Sequence, residues 1–146
     1  MPTSRDFFSE QEQIDIVCAI RDAEKQTSGE VRVHIEDTCP QEVLDRAASV
    51  FEALALHKTA ARNSVLFYLS VQDHKFAVIG DVGINLRVPE HFWEEVKDLI
   101  LKHFSANQFA TGLIGGITLT GEKLREFFPY LQEDENELPD EISFGN

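Results

Sequence analysis

Positive charge is scarce in this chain. Its 146 residues carry 13 Lys and Arg against 26 Asp and Glu, a formal net charge of −13 at neutral pH. A protein that tracks nucleic acid needs clustered Lys and Arg to displace counterions from phosphate. No such cluster occurs, which argues against nucleic acid as a partner. The acids thicken toward the end, in Glu133, Asp134, Glu135, Glu137, Asp140 and Glu141, and such a run reads as a solubilising, mobile tail. Cysteine is equally sparse, with Cys18 and Cys39 alone. They form no C-x-x-C pair, no zinc-ligand spacing and no disulfide framework. Cys18, set among Ile14, Val17 and Ile20, is expected to be a small buried hydrophobe. Cys39 precedes Pro40 at an expected helix start, where a thiol pKa can fall. No apolar run is long enough to span a bilayer. The opening MPTSRDFFSEQEQ lacks an apolar signal core, so the expected location is cytoplasmic.

Familiar catalytic signatures are missing too. There is no Walker lysine motif, no G-x-G-x-x-G and no G-x-S-x-G elbow. A cysteine-phosphatase loop starting at Cys39 would need Arg at position 45, which is Asp45. Asp37 follows a strand as a phosphoaspartate nucleophile would, but position 39 is Cys rather than a second Asp. His34, His57, His74, His91 and His103 are scattered and read as packing or surface residues.

What is present is a clear alternation of elements. Ser9 and Glu12 have capping-box spacing and open a helix running to about Thr27, ended by Gly29. Ile16, Ile20 and Ala23 make its apolar row, widened by Ile14, Val17 and Cys18. EVRVHIED, Glu30 to Asp37, alternates strictly and reads as a strand with Val31, Val33 and Ile35 buried. Its polar face is available to pair with a helix or line a groove. A second helix follows from Pro40 to His57. SVLFYLSV, Ser64 to Val71, is almost uninterruptedly apolar, as befits a strand covered on both faces. A short turn leads to a third strand, Lys75 to Ile79. Helices follow from Pro89 and from about Gln108 to Phe128. Gly112, Gly115 and Gly116 in the last helix each cost about 1 kcal/mol of helix propensity, which close packing would explain.

The order α-β-α-β-β-α-α gives a three-layer α/β/α sandwich in one domain over residues 1–131. The small mixed sheet joins a right-handed parallel crossover to an antiparallel third strand, flanked by about four helices. The acidic tail, 132–146, follows, and Ile142 and Phe144 are able to dock back on the body. Topology then gathers residues far apart in sequence. Two parallel strands begin at the same end of the sheet, and the antiparallel third finishes there. Glu30, Asn63 and Asp81 should therefore converge, with Lys58, Thr59 and Arg62 in the adjoining loop. Two carboxylates and an amide oxygen form a hard donor set suited to calcium or magnesium. Arg62 and Lys58 are candidates for holding an anion. A structural reading stands beside this one: Asp81 caps the turn or helix after it and pairs with Arg62, Asn63 satisfies loop amides, and Glu30 pairs with Arg32 or solvent.

SGEVRVHIE at Ser28–Glu36, RNSVLFYL at Arg62–Leu69, KFAVIGDVGIN at Lys75–Asn85 and FSANQFATGLIGGI at Phe104–Ile117 together resemble the TPM domain family, over roughly Phe8 to Tyr130. The ending ELPDEISFG is similar to that of short soluble bacterial members. Ser64 stands where the family usually has Gly. The resemblance implies an α/β/α sandwich, divalent-cation binding as in several members, and acid phosphatase activity as in a plant member. Many members are membrane-tethered and act through partners. Glu30, Asn63 and Asp81 fall on acidic or amide positions of the family's motifs, and no nucleophile carries over. The leading expectation is a divalent-cation module. The alternatives are a non-enzymatic adapter for an unidentified protein partner and a weak metal-assisted phosphatase.

Overall fold

The structure, a computed structural model, describes residues 1–130 and 140–146. The expectation of a mobile acidic tail falls largely on residues 131–139, outside the described residues. The first helix, α1 (Glu10–Glu24), opens on a complete capping box. Ser9 Oγ accepts from the Glu12 N–H at 3.1 Å, and Glu12 Oε1 accepts from the Ser9 N–H at 2.9 Å. Strand β1 (Glu30–Glu36) leads through α2 (Val43–Ala53) to β2 (Ser64–Ser70), which turns into β3 (Lys75–Gly80). A single-turn helix, α3 (Val82–Asn85), then α4 (Glu94–Ser105) and α5 (Phe109–Leu124) follow. A short strand, β4 (Ser143–Gly145), comes after them.

The sheet order is β3-β2-β1-β4, with β2 antiparallel to β3 and β1 parallel to both β2 and β4. Strand β2 is buried at every position, as its apolar run requires. Val31, Val33 and Ile35 meet Val65, Phe67 and Leu69 under α1, α4 and α5. On the opposite face Leu66, Tyr68 and Ala77 pack beneath α2 with Ala47, Val50 and Phe51. The expected sandwich is thus formed, with α2 covering one side among the described residues. The α5 glycines let α4 approach. A Cβ on Gly115 would stand 2.9 Å from Leu99 Cδ2, and one on Gly116 would stand 2.6 Å from Ile100 Cγ1.

Local expectations are corrected at several places, and the helix expected from Pro89 begins only at Glu94. Helix α2 begins at Val43 rather than Pro40, because the Glu42 carboxylate supplies the cap, accepting from the Asp45 N–H at 3.0 Å. Cys39 is accordingly no helix-start thiol; it is fully buried, and its N–H donates to Asp73 Oδ2 at 2.7 Å. Cys18, expected inside, is exposed, and Ile14 beside it is 55% exposed. Helix α1 buries only Ile16, Ala19, Ile20 and Ala23. The Ile14–Cys18 stripe turns toward β4, whose three residues are too few to cover it. Finally, the docking of Ile142 and Phe144 is realised as a fourth strand, with Ser143 opposite His34 and Gly145 opposite Glu36.

The polar face of β1 is organised around Glu36, which is completely buried. Arg46 from α2 clasps it through Nε and Nη2, and the Tyr68 hydroxyl donates to its Oε2. His34 Nε2 lies 3.2 Å from Oε1, and His34 Nδ1 lies 2.8 Å from Ser143 Oγ on β4. Burial opposes ionisation of Glu36, but its bonds to Arg46, Tyr68 and His34 win and hold it below the usual carboxylate range. Burial keeps His34 below its ordinary value and so neutral, despite the opposing pull of Glu36. Its Nε2–H then donates to Glu36 and leaves Nδ1 to accept from Ser143. Arg46→Ala is expected to cost about 3 kcal/mol by chemical denaturation, the low end of the effect of stranding a buried carboxylate, because Tyr68 and His34 remain. A loss comparable to an exposed ion pair would show that Glu36 is solvated.

Candidate functional site

The end of the sheet where β1 and β2 start and β3 finishes is closed by a short sequence, Gly80-Asp81-Val82-Gly83. Asp81 N–H donates to the Ser64 carbonyl at 2.9 Å, which fixes the end of β3 against the start of β2. The Asp81 side chain then caps α3, accepting from the Val82 N–H at 2.8 Å. Arg62 reaches it across the sheet end. Its Nε donates to Oδ2 at 2.7 Å and its Nη2 to Oδ1 at 2.8 Å, a bidentate pair. The Asp81 side chain is 4% exposed and that of Arg62 45%. The Asp81 hydrogen bond and charge hold Arg62 above its ordinary value.

Gly83 completes the clasp. Its N–H donates to the Arg62 carbonyl at 2.9 Å. A Cβ there would collide with the carbonyl of Ala61 and lie 2.6 Å from that of Arg62. Arg62 itself has φ 51, a left-handed conformation disfavoured for any residue with a Cβ. The chain accepts it because the turn aims the guanidinium back at Asp81.

The other expected residues are placed at the same end. Register sets Glu30 opposite Ser64, and the Glu30 N–H donates to the Asn63 carbonyl at 3.2 Å. Asn63 is buried; its N–H donates to Thr59 Oγ1 at 3.3 Å and its Nδ2 lies 3.5 Å from Ser28 Oγ. Lys58 is exposed on the loop, with its N–H on the Ala55 carbonyl. The convergence drawn from topology is therefore present in the backbone. The structural reading of Asp81 is present as well: it both caps α3 and pairs with Arg62. Among the described residues, no group of three or more His, Cys, Asp or Glu side chains is placed to hold a metal ion.

Glu30 also belongs to a second acidic group that sequence reasoning missed. Strand β4 covers only the far half of the β1 edge, leaving the Val31 N–H to be satisfied elsewhere. Glu24, at the end of α1, takes it at 2.8 Å. Burial, a hydrogen bond to Asp140 and the nearby charge of Glu30 push the Glu24 carboxyl up to about 10, so it is protonated at neutral pH. Asp140 in turn lies 3.7 Å from Arg21. Only the i-to-edge geometry could reveal this pair, since Glu24 and Asp140 are linked by no sequence spacing.

These features sit in a recognisable family frame. The family model described as TPM domain matches residues 3–123. The chain belongs to the TPM domain family. The NMR structure of the BA42 protein from the psychrophilic bacterium Bizionia argentinensis shares 43% identity and a TM-score of 0.93, over 99% of this chain and 100% of that one. The N-terminal domain of a P. gingivalis protein matches with TM-score 0.68 at 14% identity, over 86% of this chain and 83% of its own. The N-terminal domain of the cg2496 protein of Corynebacterium glutamicum matches with TM-score 0.65 at 10% identity, over 96% and 81%. These last two share the fold alone. No curated protein matches the chain. No helix among the described residues is long and apolar enough to cross a membrane. Against this TPM frame, the clasp and the carboxyl pair each yield an expectation.

Gly83→Ala should destabilise the protein by about 1–3 kcal/mol, because the new methyl meets backbone rather than a yielding side chain. Thermal unfolding checks this, and a neutral result would mean that the 61–62 turn gives way freely. Glu24→Gln tests the shared proton. A carboxyl raised from 4.5 to about 10 binds a proton in the fold that the unfolded chain lacks over that window. Its contribution to stability is full below 4.5 and falls as pH rises toward 10. The amide needs no proton, so the variant should gain melting temperature over the parent at pH 8 and match it near pH 4. A parallel pair of pH profiles would refute the protonated Glu24.

Proposed function

We propose that this TPM domain is a divalent-cation module in which calcium or magnesium exchanges with the Arg62 guanidinium on Asp81. One observation carries the reading. Asp81 is a nearly inaccessible carboxylate whose charge is balanced by a side chain that is itself almost half exposed. The donors that would hold the ion are the Asp81 carboxylate, the Asn63 amide oxygen and the Glu30 carboxylate, all hard oxygen ligands that suit these ions over zinc or copper. With Arg62 in place, both Asp81 oxygens are already engaged. The site is therefore a latched one, and its affinity is set by the competition between the guanidinium and the ion.

Such a module has no need of a nucleophile, in keeping with a clasp that holds none. Bound metal would supply positive charge at the sheet end. Arg62, once displaced, would carry its own charge into solvent beside the exposed Val82 and Leu86. The domain would then report the ion by a change of surface at the α3 corner.

Calcium and magnesium titrations followed by calorimetry and amide NMR test the exchange. Asp81→Asn should abolish the saturable shifts around residues 61–64 and 80–84. Arg62→Ala should tighten binding, because it removes the competitor. Tightening in Arg62→Ala with loss in Asp81→Asn is the expected pair of results. Weakened binding in a folded Arg62→Ala would overturn the exchange, and silence of the parent and of Arg62→Ala together would overturn the cation reading.

A further inference from the structure

Strand β4 has only three residues, yet each of them, and the residue after, meets a different side-chain or backbone partner. The Ser143 hydroxyl donates to His34 Nδ1 at 2.8 Å. Phe144 packs against the main core and lies under the Arg5 guanidinium, 5.0 Å from its ring centre. Gly145 sits where a Cβ would stand 2.8 Å from His34 Nε2 and 2.9 Å from Glu36 Oε1. Neither atom is free to move, because they hold each other at 3.2 Å and Arg46 and Tyr68 fix the carboxylate. The Gly145 carbonyl accepts from Ser4 Oγ at 3.1 Å. Asn146 Oδ1 accepts from the N–H groups of Asp37 and Thr38 at 2.7 and 3.2 Å, and its Nδ2 donates to the Thr38 carbonyl at 3.1 Å.

Sheet pairing alone needs none of this. Backbone bonds hold any extended segment, and side-chain contacts decide which one is preferred. Here the selection is for a hydroxyl at the first position, no Cβ at the third and a side-chain amide at the fourth. An aspartate at the fourth position would offer no donor to the Thr38 carbonyl. The resident segment also leaves part of the edge unused. Among the described residues β4 pairs only with His34, Ile35 and Glu36 of the seven-residue β1. Nearer the start of β1, the Glu24 carboxyl rather than a strand carbonyl takes the Val31 N–H. The TPM match ends at residue 123, so β4 lies outside the part of the chain that it covers. A longer segment with the same four residues would have β1 backbone left to pair with.

We propose that the edge of β1 is a sequence-reading strand site for an extended Ser-aromatic-Gly-Asn segment, held in cis by residues 143–146 and open in trans to a partner segment of the same pattern. The partner strand runs parallel to β1. It gives its hydroxyl to His34, its glycine to the step formed by His34 and Glu36, and its amide to Asp37 and Thr38. A segment carried on the same chain competes at an effective concentration on the order of millimolar. The resident therefore excludes weak partners and yields when its own docking is weakened. The site lies at the Glu36 end of β1, away from the Arg62–Asp81 clasp at the other end, so either can fail alone.

The test weakens the resident in the full chain and supplies the segment in trans. The probe is an acetylated, amidated peptide of sequence Glu-Ile-Ser-Phe-Gly-Asn. Gly145→Val forces the resident off the His34–Glu36 step. Asn146→Ala removes three hydrogen bonds at an exposed residue and is the milder variant. Amide NMR of either variant should show residues 34–38 displaced, and saturating peptide should return them toward their parent positions while leaving Arg62 and Asp81 in place. The parent chain, with its resident docked, should bind the peptide roughly tenfold more weakly than Gly145→Val, or less. Peptides with alanine for the glycine or for the asparagine should lose roughly tenfold or more on the same variant. Silence of whichever variant folds would overturn the proposal, and so would equal binding of the alanine peptides. Dimers of the parent chain in sedimentation, dissolved by the peptide, would make the same segment of a second copy the trans occupant and overturn the partner.

Discussion

Everything in this domain hangs on β2. It is buried along its whole length and hydrogen-bonded on both edges, parallel to β1 and antiparallel to β3. Because the side-chain period of a strand is two, a one-residue slip would exchange its two faces. Val65, Phe67 and Leu69 would leave the large core, and Leu66 and Tyr68 would enter it. The register is therefore strongly specified, and with it the meeting of Glu30, Ser64 and Gly80 at one end. Neither Asp81 nor Arg62 needs any special device to be brought into range. Each is the next residue or two beyond a strand whose position is already fixed.

The domain meets a common difficulty in three different ways: it must hold carboxylates out of water. Asp81 is matched by a forked guanidinium from the loop before β2. Glu36 is matched by a forked guanidinium from α2, with a phenol and an imidazole in support. Glu24 is matched by a proton, shared toward Asp140. The first arrangement has a single side-chain partner, itself almost half exposed. The second adds two buried partners, Tyr68 and His34, to a guanidinium that is one-third exposed, and ties β1, β2, α2 and β4 into one unit. The third depends on pH rather than on a counter-ion. What sets the three apart is the number and kind of their partners, not the burial of the acid, because all three acids are shielded.

Much of this was legible in the residues. Strict alternation at Glu30–Glu36 and the unbroken apolar run at Ser64–Ser70 identify two kinds of strand, and the short turn after them requires an antiparallel return. From these alone the Asp81–Arg62 proximity follows. The α5 glycines likewise announced close packing, which α4 supplies. What could not be read depends on partners distant in sequence. The Glu42 cap moved the start of α2, and nothing local distinguishes it from a Pro40 start. Three residues of β4 carry too little pattern to be recognised as a strand, although Ile142 and Phe144 were visible as docking residues. The Glu24–Asp140 pair has no spacing signature at all. The left-handed conformation at Arg62 is imposed by its bonds to Asp81 and Gly83 rather than by its own preference.

The misjudged face of α1 shows why a helix's apolar width alone does not measure its burial. Six apolar residues and Ala23 span more of the helix circumference than α5 and the sheet can cover, so a stripe is left over. In a sheet with a full-length outer strand the stripe would be buried. Here the outer strand has three residues, and the shortfall leaves Ile14, Val17 and Cys18 beside an edge with which nothing pairs among the described residues. An exposed edge next to apolar surface is a liability that folded proteins usually blunt with charge. The overall net charge of −13 does so against copies of the same chain.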